Sequence, residues 1–494
     1  MPNLTFTSPA GGLPAGTTPV GVTLAVYAPF GTDATLSRYP DDAPQPVQQH
    51  PLVQNLLQVC ESGVHVTALI DLHDDDTYLI DIPALKPLSM QIASRWKQDM
   101  NSPRTLAGFL RRARQLRPET AMVLGLEGHG AGFLPELDRS QLGSRHVTGN
   151  GSVHWQITHE QGTPQNPDGS PLLPMGCPLL PMGCPLLPVN HLPLSTWGLG
   201  QALKDAQGTG RKLGVLHFNN CFNMAVEVLH TVAPHADVAA GYMNYNFFTA
   251  GEAYPAAFAK LLAAGTASTA QFALWLAEAN RDLLASKSHH PTVAGVVQLA
   301  RLPGIAAAVD ALAKALTAAL TNASAAQRPG LLSAIRSALI KAQQYDTVRN
   351  ARLDAPDELT DLCSLAEQLK AFPSHPPVQA AAQTLQGALA GIKAYGATGT
   401  PWTEPAITWD FSRPALAMNI LCPDPLRRGL WDWRSPYYLQ KVPSAAQPRV
   451  IDFLKDTAWV EFLVEYHRDA AFKGLLPAAI PAYPIFNRRH TLPD

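Results

Sequence analysis

Five short apolar runs, separated by stretches of helical period, most restrict what this chain can fold into. They are 21–29 (GVTLAVYAP), 64–71 (VHVTALID), 121–126 (AMVLGL), 213–218 (LGVLHF) and 238–243 (VAAGYM). Between them, 49–62 reads as a helix, and Leu106, Phe109, Leu110 and Ala113 recur at i, i+3, i+4 and i+7, the mark of one apolar helix face. A sixth run, 77–82, pairs with 64–71 as a hairpin across the acidic turn Asp74–Asp76. Strands alternating with helices imply an α/β fold, a mostly parallel sheet with helices on both faces.

The rest of the chain sets the boundaries. At 494 residues it exceeds one ordinary core. We divide it into an arm at 1–20, a sheet-bearing domain at 21–260 and a largely helical region at 261–494. An insertion at 134–192 holds a tandem repeat, PLLPMGC at 171–177 and 178–184, and reads as a proline-stiffened loop. Thr196 is the expected cap of the helix that follows. In the alanine-rich second half, Leu332, Ile335 and Leu339 share a face, as do Val378, Leu385, Leu389 and Ile392. Residues 415–421 read as a strand and 451–467 as a last helix.

Composition excludes some functions. Hydrophobic residues are 46% and charged residues 15%, a globular balance. A formal net charge of −2 gives no electrostatic reason to expect nucleic acid or an anionic membrane as partner. No stretch is expected to span a bilayer. The opening MPNLTFTSPAGGLPAG has no charged or apolar signal region, so a cytoplasmic location is expected. The six cysteines are scattered without a CxxC pair, which argues for free thiols. Cys177 and Cys184 lack the further ligands a metal would need.

The chemistry gathers at two strand ends. The run 121–126 leads into Gly128-His129-Gly130-Ala131-Gly132, and 213–218 leads into Asn219-Asn220-Cys221. In an open parallel sheet, functional groups collect beyond the carboxyl ends of the strands. If the two strands are neighbours, an imidazole and a thiol lie side by side. A thiolate attacks a carbonyl carbon, and an imidazolium protonates the leaving amine. A helix beginning at Cys221 and running through Val226 and Leu229 would favour the thiolate. The amides of Gly130 and Cys221 are placed to face a developing oxyanion. On spacing alone, His129 also reads as a loop residue and Cys221 as inert packing.

The order of segments resembles the clostripain family of caspase-like cysteine peptidases. The similarity lies in TLAVYAPF, in SPRTLAGFLRRARQLRPETAMVLGLEGHGAGF, and in HFNNCFNMAVEVLH with Glu227 six residues after Cys221. It continues through PTVAGVVQL, DELTDLCSLAEQL, ALAMNILCPDP and FLKDTAWVEFLVEY, and so covers about 21–467. The resemblance implies a caspase-like fold, a Cys221–His129 dyad, a thioester intermediate and a polypeptide substrate. It implies activation from a zymogen by internal cleavage, for which 134–192 is the natural segment; that segment reads equally as an inert surface loop.

Two departures stand out. The family usually has Asp two positions before the cysteine, where it pairs with a basic substrate side chain; here that position is Asn219. Glu127 and Gly128 also differ from the family's usual pair before the histidine. Asn219, Asn220, Asn244 and Glu252 are the expected substrate-binding residues, with Glu252 the acid that would have to reach the pocket if a basic side chain is selected. No cofactor is expected. Calcium at His73–Asp76, which the resemblance allows, is the weaker reading beside a solvated turn. Arg111, Arg112, Arg114 and Arg117 read as a solvated face. The rival to a peptidase is a non-catalytic caspase-like scaffold that binds partners.

Overall fold

A computed structural model describes residues 3–5, 21–30, 36, 46–72, 77–84, 90–96, 100, 102–128, 130, 132–134, 194–246, 249–287, 291–345, 359–372, 375–400, 409–422 and 450–467. The 171–184 repeat, the Asp74–Asp76 turn and His129 itself lie outside these residues.

The six sequence runs become strands β1 (Val22–Pro29), β2 (His65–Asp71), β3 (Thr77–Ile82), β5 (Ala121–Glu127), β6 (Leu213–Asn219) and β7 (Ala236–Tyr242), and β4 (Gln91–Trp96), not expected from the sequence, lies between β3 and β5 in the chain. Then follow β8 (Val293–Gln298), β9 (Gln344–Tyr345), β10 (Leu359–Asp361), β11 (Lys393–Gly396) and β12 (Asn419–Leu421). Nine of them form one sheet in the order β11-β8-β7-β6-β5-β1-β2-β3-β4. The five central strands, β7 to β2, are parallel, and the pairs outside them are antiparallel. The hairpin expected between 64–71 and 77–82 is the β2–β3 pair. The sheet does not stop at residue 260, because β8 and β11 extend it from the region read as helical.

Both faces of the sheet are covered, which is why the central strands are apolar throughout. In β5, Met122, Leu124 and Leu126 enter one core and Val123 enters the other. The first core lies under α2 (Pro103–Leu116), α3 (Thr196–Gln207), α4 (Val226–Val232) and α7 (Leu302–Thr321). The second lies under α1 (Pro51–Glu61), α5 (Ala253–Ala264) and α6 (Thr269–Lys287). In α2 the expected face is buried, each large side chain contributing roughly 1.5–3 kcal/mol. The arginines of α2 are not purely solvated: Arg112 pairs with Asp81, and Arg114 donates to the Arg211 carbonyl at 2.6 Å.

Beyond the sheet, α8 (Arg328–Lys341), α9 (Leu362–Leu369), α10 (Pro376–Leu389), α11 (Asp452–Asp456) and α12 (Trp459–His467) add to the first core. The last helix is broken at Thr457, which is extended. Ser195, not Thr196, caps α3, accepting from Gly198 N–H at 2.8 Å; the Thr196 hydroxyl instead accepts from Leu134 N–H at 2.9 Å. One segment, Leu299–Thr321, is long and apolar enough by length and composition to cross a membrane, contrary to the sequence reading. Its apolarity has a local use, because Leu302, Ile305, Val309, Leu312, Leu316 and Leu320 are buried in the first core.

Candidate active site

Strands β5 and β6 are parallel neighbours, with Glu127 opposite Asn219 in the register. Their carboxyl ends therefore deliver the two glycine- and asparagine-rich turns to one rim of the sheet. Gly128 has φ 100° and Gly132 φ 70°, left-handed conformations that favour glycine. Gly130 is required for a different reason. A Cβ built there would lie 2.1 Å from the Cys221 carbonyl oxygen and 2.9 Å from its amide nitrogen. Gly130 is thus packed against the backbone of Cys221. The two turns are further joined by Asn223, whose Oδ1 accepts from Gly132 N–H at 3.1 Å and whose Nδ2 donates to Asn220 Oδ1 at 2.7 Å.

Cys221 is 7% exposed. Its Sγ–H donates to the Asn246 carbonyl at 3.3 Å, and Asn246 N–H donates to the sulfur at 3.4 Å. Burial pushes the thiol up to about 12, while the amides of Asn246 and Gly130 pull it back. Burial thus disfavours the thiolate, and the sulfur is clasped by the loop after β7. The helix expected to start at Cys221 starts instead at Val226, with Ala225 as its N-cap. Phe222 has φ 60°, a left-handed conformation that ends any helical path through Cys221. A helix terminus five residues away does not lower the thiol's pKa.

Behind the sulfur runs a buried polar chain. Thr249 Oγ1 donates to Asn280 Oδ1 (3.0 Å), Asn280 Nδ2 to Asn246 Oδ1 (2.8 Å), and Asn246 Nδ2 to Asn219 Oδ1 (2.9 Å). Asn219 Nδ2 then meets both oxygens of Glu127, at 3.0 and 2.9 Å, and the Tyr254 hydroxyl donates to Glu127 Oε1 at 2.6 Å. Tyr254 reaches the acid because residue 125 is glycine; a Cβ there would stand 2.1 Å from its hydroxyl oxygen. His217 Nδ1 lies 3.4 Å from the same hydroxyl, and burial pushes the imidazole down to about 3, so it is neutral. Burial likewise raises the Glu127 carboxyl to about 7, against the downward pull of Tyr254 and Asn219.

The expected substrate-binding residues thus fall in different places. Asn219 and Asn220 are buried, their carboxamides bonded within the fold. Asn244 is buried with neither carboxamide atom bonded, and its carbonyl accepts from Phe222 N–H at 3.1 Å. Glu252 is half-buried at the start of α5, outside the polar chain. The acid beside Asn219 is Glu127. Among the described residues no group of three or more His, Cys, Asp or Glu is placed to hold a metal ion. Cys60, Cys221 and Cys363 are free thiols, while Cys177 and Cys184 lie outside the described residues.

No protein-family model matches the chain, and no curated protein does. Solved structures do. A secreted C11 cysteine protease of Bacteroides thetaiotaomicron, iotapain, aligns over 81% of this chain and 93% of its own, with TM-score 0.50 and 12% identity. A secreted C11 protease of the same organism in complex with an irreversible peptide inhibitor aligns over 89% and 99%, with TM-score 0.51 and 12% identity. The chain has the fold of the C11, clostripain-type cysteine proteases. Within this C11 fold, the two strand ends singled out in the sequence adjoin at the rim. Glu127, Asn246, Asn280 and Tyr254 were not anticipated as partners there. The signal available was a lone polar residue in an apolar setting, Glu127 closing an apolar strand, because a buried polar group requires a bonded neighbour.

Proposed function

We propose that the protein is a cysteine endopeptidase, with Cys221 as nucleophile and His129 as general acid and base. The observation that carries this reading is the contact of Gly130 with Cys221 at adjacent parallel strand ends. The sulfur attacks the substrate carbonyl, the amides of Gly130 and Cys221 stabilise the oxyanion, and protonation of the amine releases the first product. Water then hydrolyses the thioester. The substrate is a polypeptide whose preferred side chain is set beside Asn219, Asn220, Asn244 and Glu252. The 134–192 insertion is the proposed processing segment, the site of action is the cytoplasm, and no cofactor takes part. A role on one dedicated protein in bacterial defence or cell death fits a cytoplasmic enzyme, and neighbouring genes devoted only to nutrient uptake would count against it.

The non-catalytic scaffold is a second reading, favoured by one observation: Cys221 is buried and clasped by Asn246. A combinatorial peptide library and an electrophilic peptide probe separate the two. Cleavage and labelling that vanish in Cys221→Ala support the peptidase. Cleavage that survives Cys221→Ala removes it, and absence of both in the wild-type protein after processing of the insertion leaves the scaffold.

A further inference from the structure

The residue after Cys221 is held in an unfavourable conformation by a side chain from almost two hundred positions downstream. Phe222, at φ 60°, is one of two non-glycine residues with positive φ among those described. A bulky residue persists there only when its surroundings over-determine it. Three groups do so. Phe222 N–H donates to the Asn244 carbonyl at 3.1 Å, and the buried ring meets Tyr245 edge-on, with centroids 4.6 Å apart. The Phe222 carbonyl accepts from Asn419 Nδ2 at 2.9 Å.

Asn419 opens β12 and is fully buried. The same Nδ2 also donates to the Met243 carbonyl at 3.0 Å, so one carboxamide ties the strand-end loop of β6 to that of β7. Its main chain repeats the tie: Asn419 N–H donates to the Met224 carbonyl at 2.9 Å, and Met224 N–H to the Tyr242 carbonyl at 3.1 Å. Two positions on, Leu421 N–H donates to Glu227 Oε1 at 3.0 Å. The backbone from 222 to 227 is therefore fixed on one side by the end of β7 and on the other by β12.

We propose that Asn419 is a positioning residue for the Cys221 sulfur, acting through the left-handed turn at Phe222. This rests on the reading of Cys221 as nucleophile. Without the two Nδ2 bonds, the 222 and 243 carbonyls lose their common donor, the turn relaxes toward the right-handed basin, and the sulfur shifts relative to Gly130 and to the substrate carbonyl.

The test uses the full chain and the series Asn419→Ser, Asn419→Ala and Asn419→Asp, with circular dichroism and melting to confirm folding. Two readouts are taken: kcat and KM on a cleaved peptide, and the pH dependence of Cys221 alkylation by iodoacetamide, followed by mass spectrometry. Asn419→Ala is expected to lower kcat on the order of 10²-fold at nearly unchanged KM, since small misplacements of a reacting group cost that much. Asn419→Ser, keeping one donor, is expected to recover part of the loss. Asn419→Asp is expected to improve as pH falls, because only its protonated form donates to the carbonyls. If Asn419→Ala does not fold, the Ser and Asp variants carry the test. Folded variants with wild-type kcat and an unaltered alkylation profile overturn the proposal and leave the peptidase reading intact. A wild-type protein that cleaves nothing after processing of the insertion, with alkylation at Cys221 still altered by Asn419 substitution, sinks the peptidase reading and leaves the positioning of the sulfur by Asn419 standing.

Discussion

Glu127 and Asn219 stand opposite each other at the ends of adjacent parallel strands, and the Asn219 carboxamide nitrogen donates to both carboxylate oxygens. A neutral side chain in one strand and an acid in the next share one buried position. The acid faces the fold, not a solvent-exposed cleft.

Stability should therefore depend on pH through Glu127. Its carboxyl rises from the ordinary 4.5 to about 7 in the fold because of burial. Between those values the folded state binds a proton that the unfolded chain has released, so stability falls as pH rises from 4.5 through about 7 and then levels. The contribution is on the order of 3 kcal/mol. Glu127→Gln keeps the shape and should flatten this part of the profile, measured by denaturant titration at several pH values. Asp361 and His217, buried in both proteins, cancel in the difference. Parallel pH profiles for the two proteins would contradict the assignment.

Tyr254→Phe should move the same limb. The Tyr254 hydroxyl pulls the Glu127 carboxyl down, so its removal raises that group further and carries the falling limb to higher pH. Above neutral pH the variant should lose about 1.5–3 kcal/mol, the worth of a hydrogen bond to a charged group. A limb that stays in place, read from the same titrations, would show that the hydroxyl does not hold the carboxylate.

Cys221 should be slow toward small reagents. With its thiol near 12, the thiolate is scarce at pH 8, and higher intrinsic nucleophilicity compensates only in part. Iodoacetamide should alkylate it on the order of 10²-fold more slowly than an unperturbed cysteine, where thiolate fraction and nucleophilicity oppose each other. A peptide electrophile that displaces the Asn246 clasp should react faster than iodoacetamide. Fast labelling by the small reagent, seen by peptide mapping, would mean that the sulfur is not closed.

Gly130→Ala tests the junction of the two turns. The added carbon meets the Cys221 carbonyl oxygen at 2.1 Å and its amide nitrogen at 2.9 Å, so backbone and not only the Asn220 side chain must shift. The variant should lose about 3 kcal/mol, the upper range for overpacking, and melt earlier. Cleavage should fall with it. A wild-type melting curve would show that Gly130 does not meet the Cys221 backbone.

The adjacency of the two strand ends was legible because each run is apolar throughout, bounded by glycine or asparagine, and long enough for one strand of a doubly covered sheet. The same patterning gave α1, α2 and the β2–β3 hairpin. The helix assigned to Cys221 was misread for a local reason. NNCFNMA looks like the polar start of a helix, and nothing in it announces that Phe222 turns left-handed. The polar chain was hidden for a different reason. Asn246 and Asn280 are 34 positions apart, on a loop and on a helix, and no periodicity links them. Asn419 sits in the apolar run ALAMNIL, where its only trace was its polarity. β8 and the edge strand β11 are six and four residues long and lie in an alanine-rich region read as helical, where no strand period stands out.

The bond from Asn419 to Phe222 spans 197 positions. A ribosome adding about 5–20 residues each second releases Cys221 roughly 10–40 s before the residue that ties down its turn. During synthesis the nascent chain holds its thiol in an unfinished setting, and the completed rim appears only after Asn419 has left the ribosome.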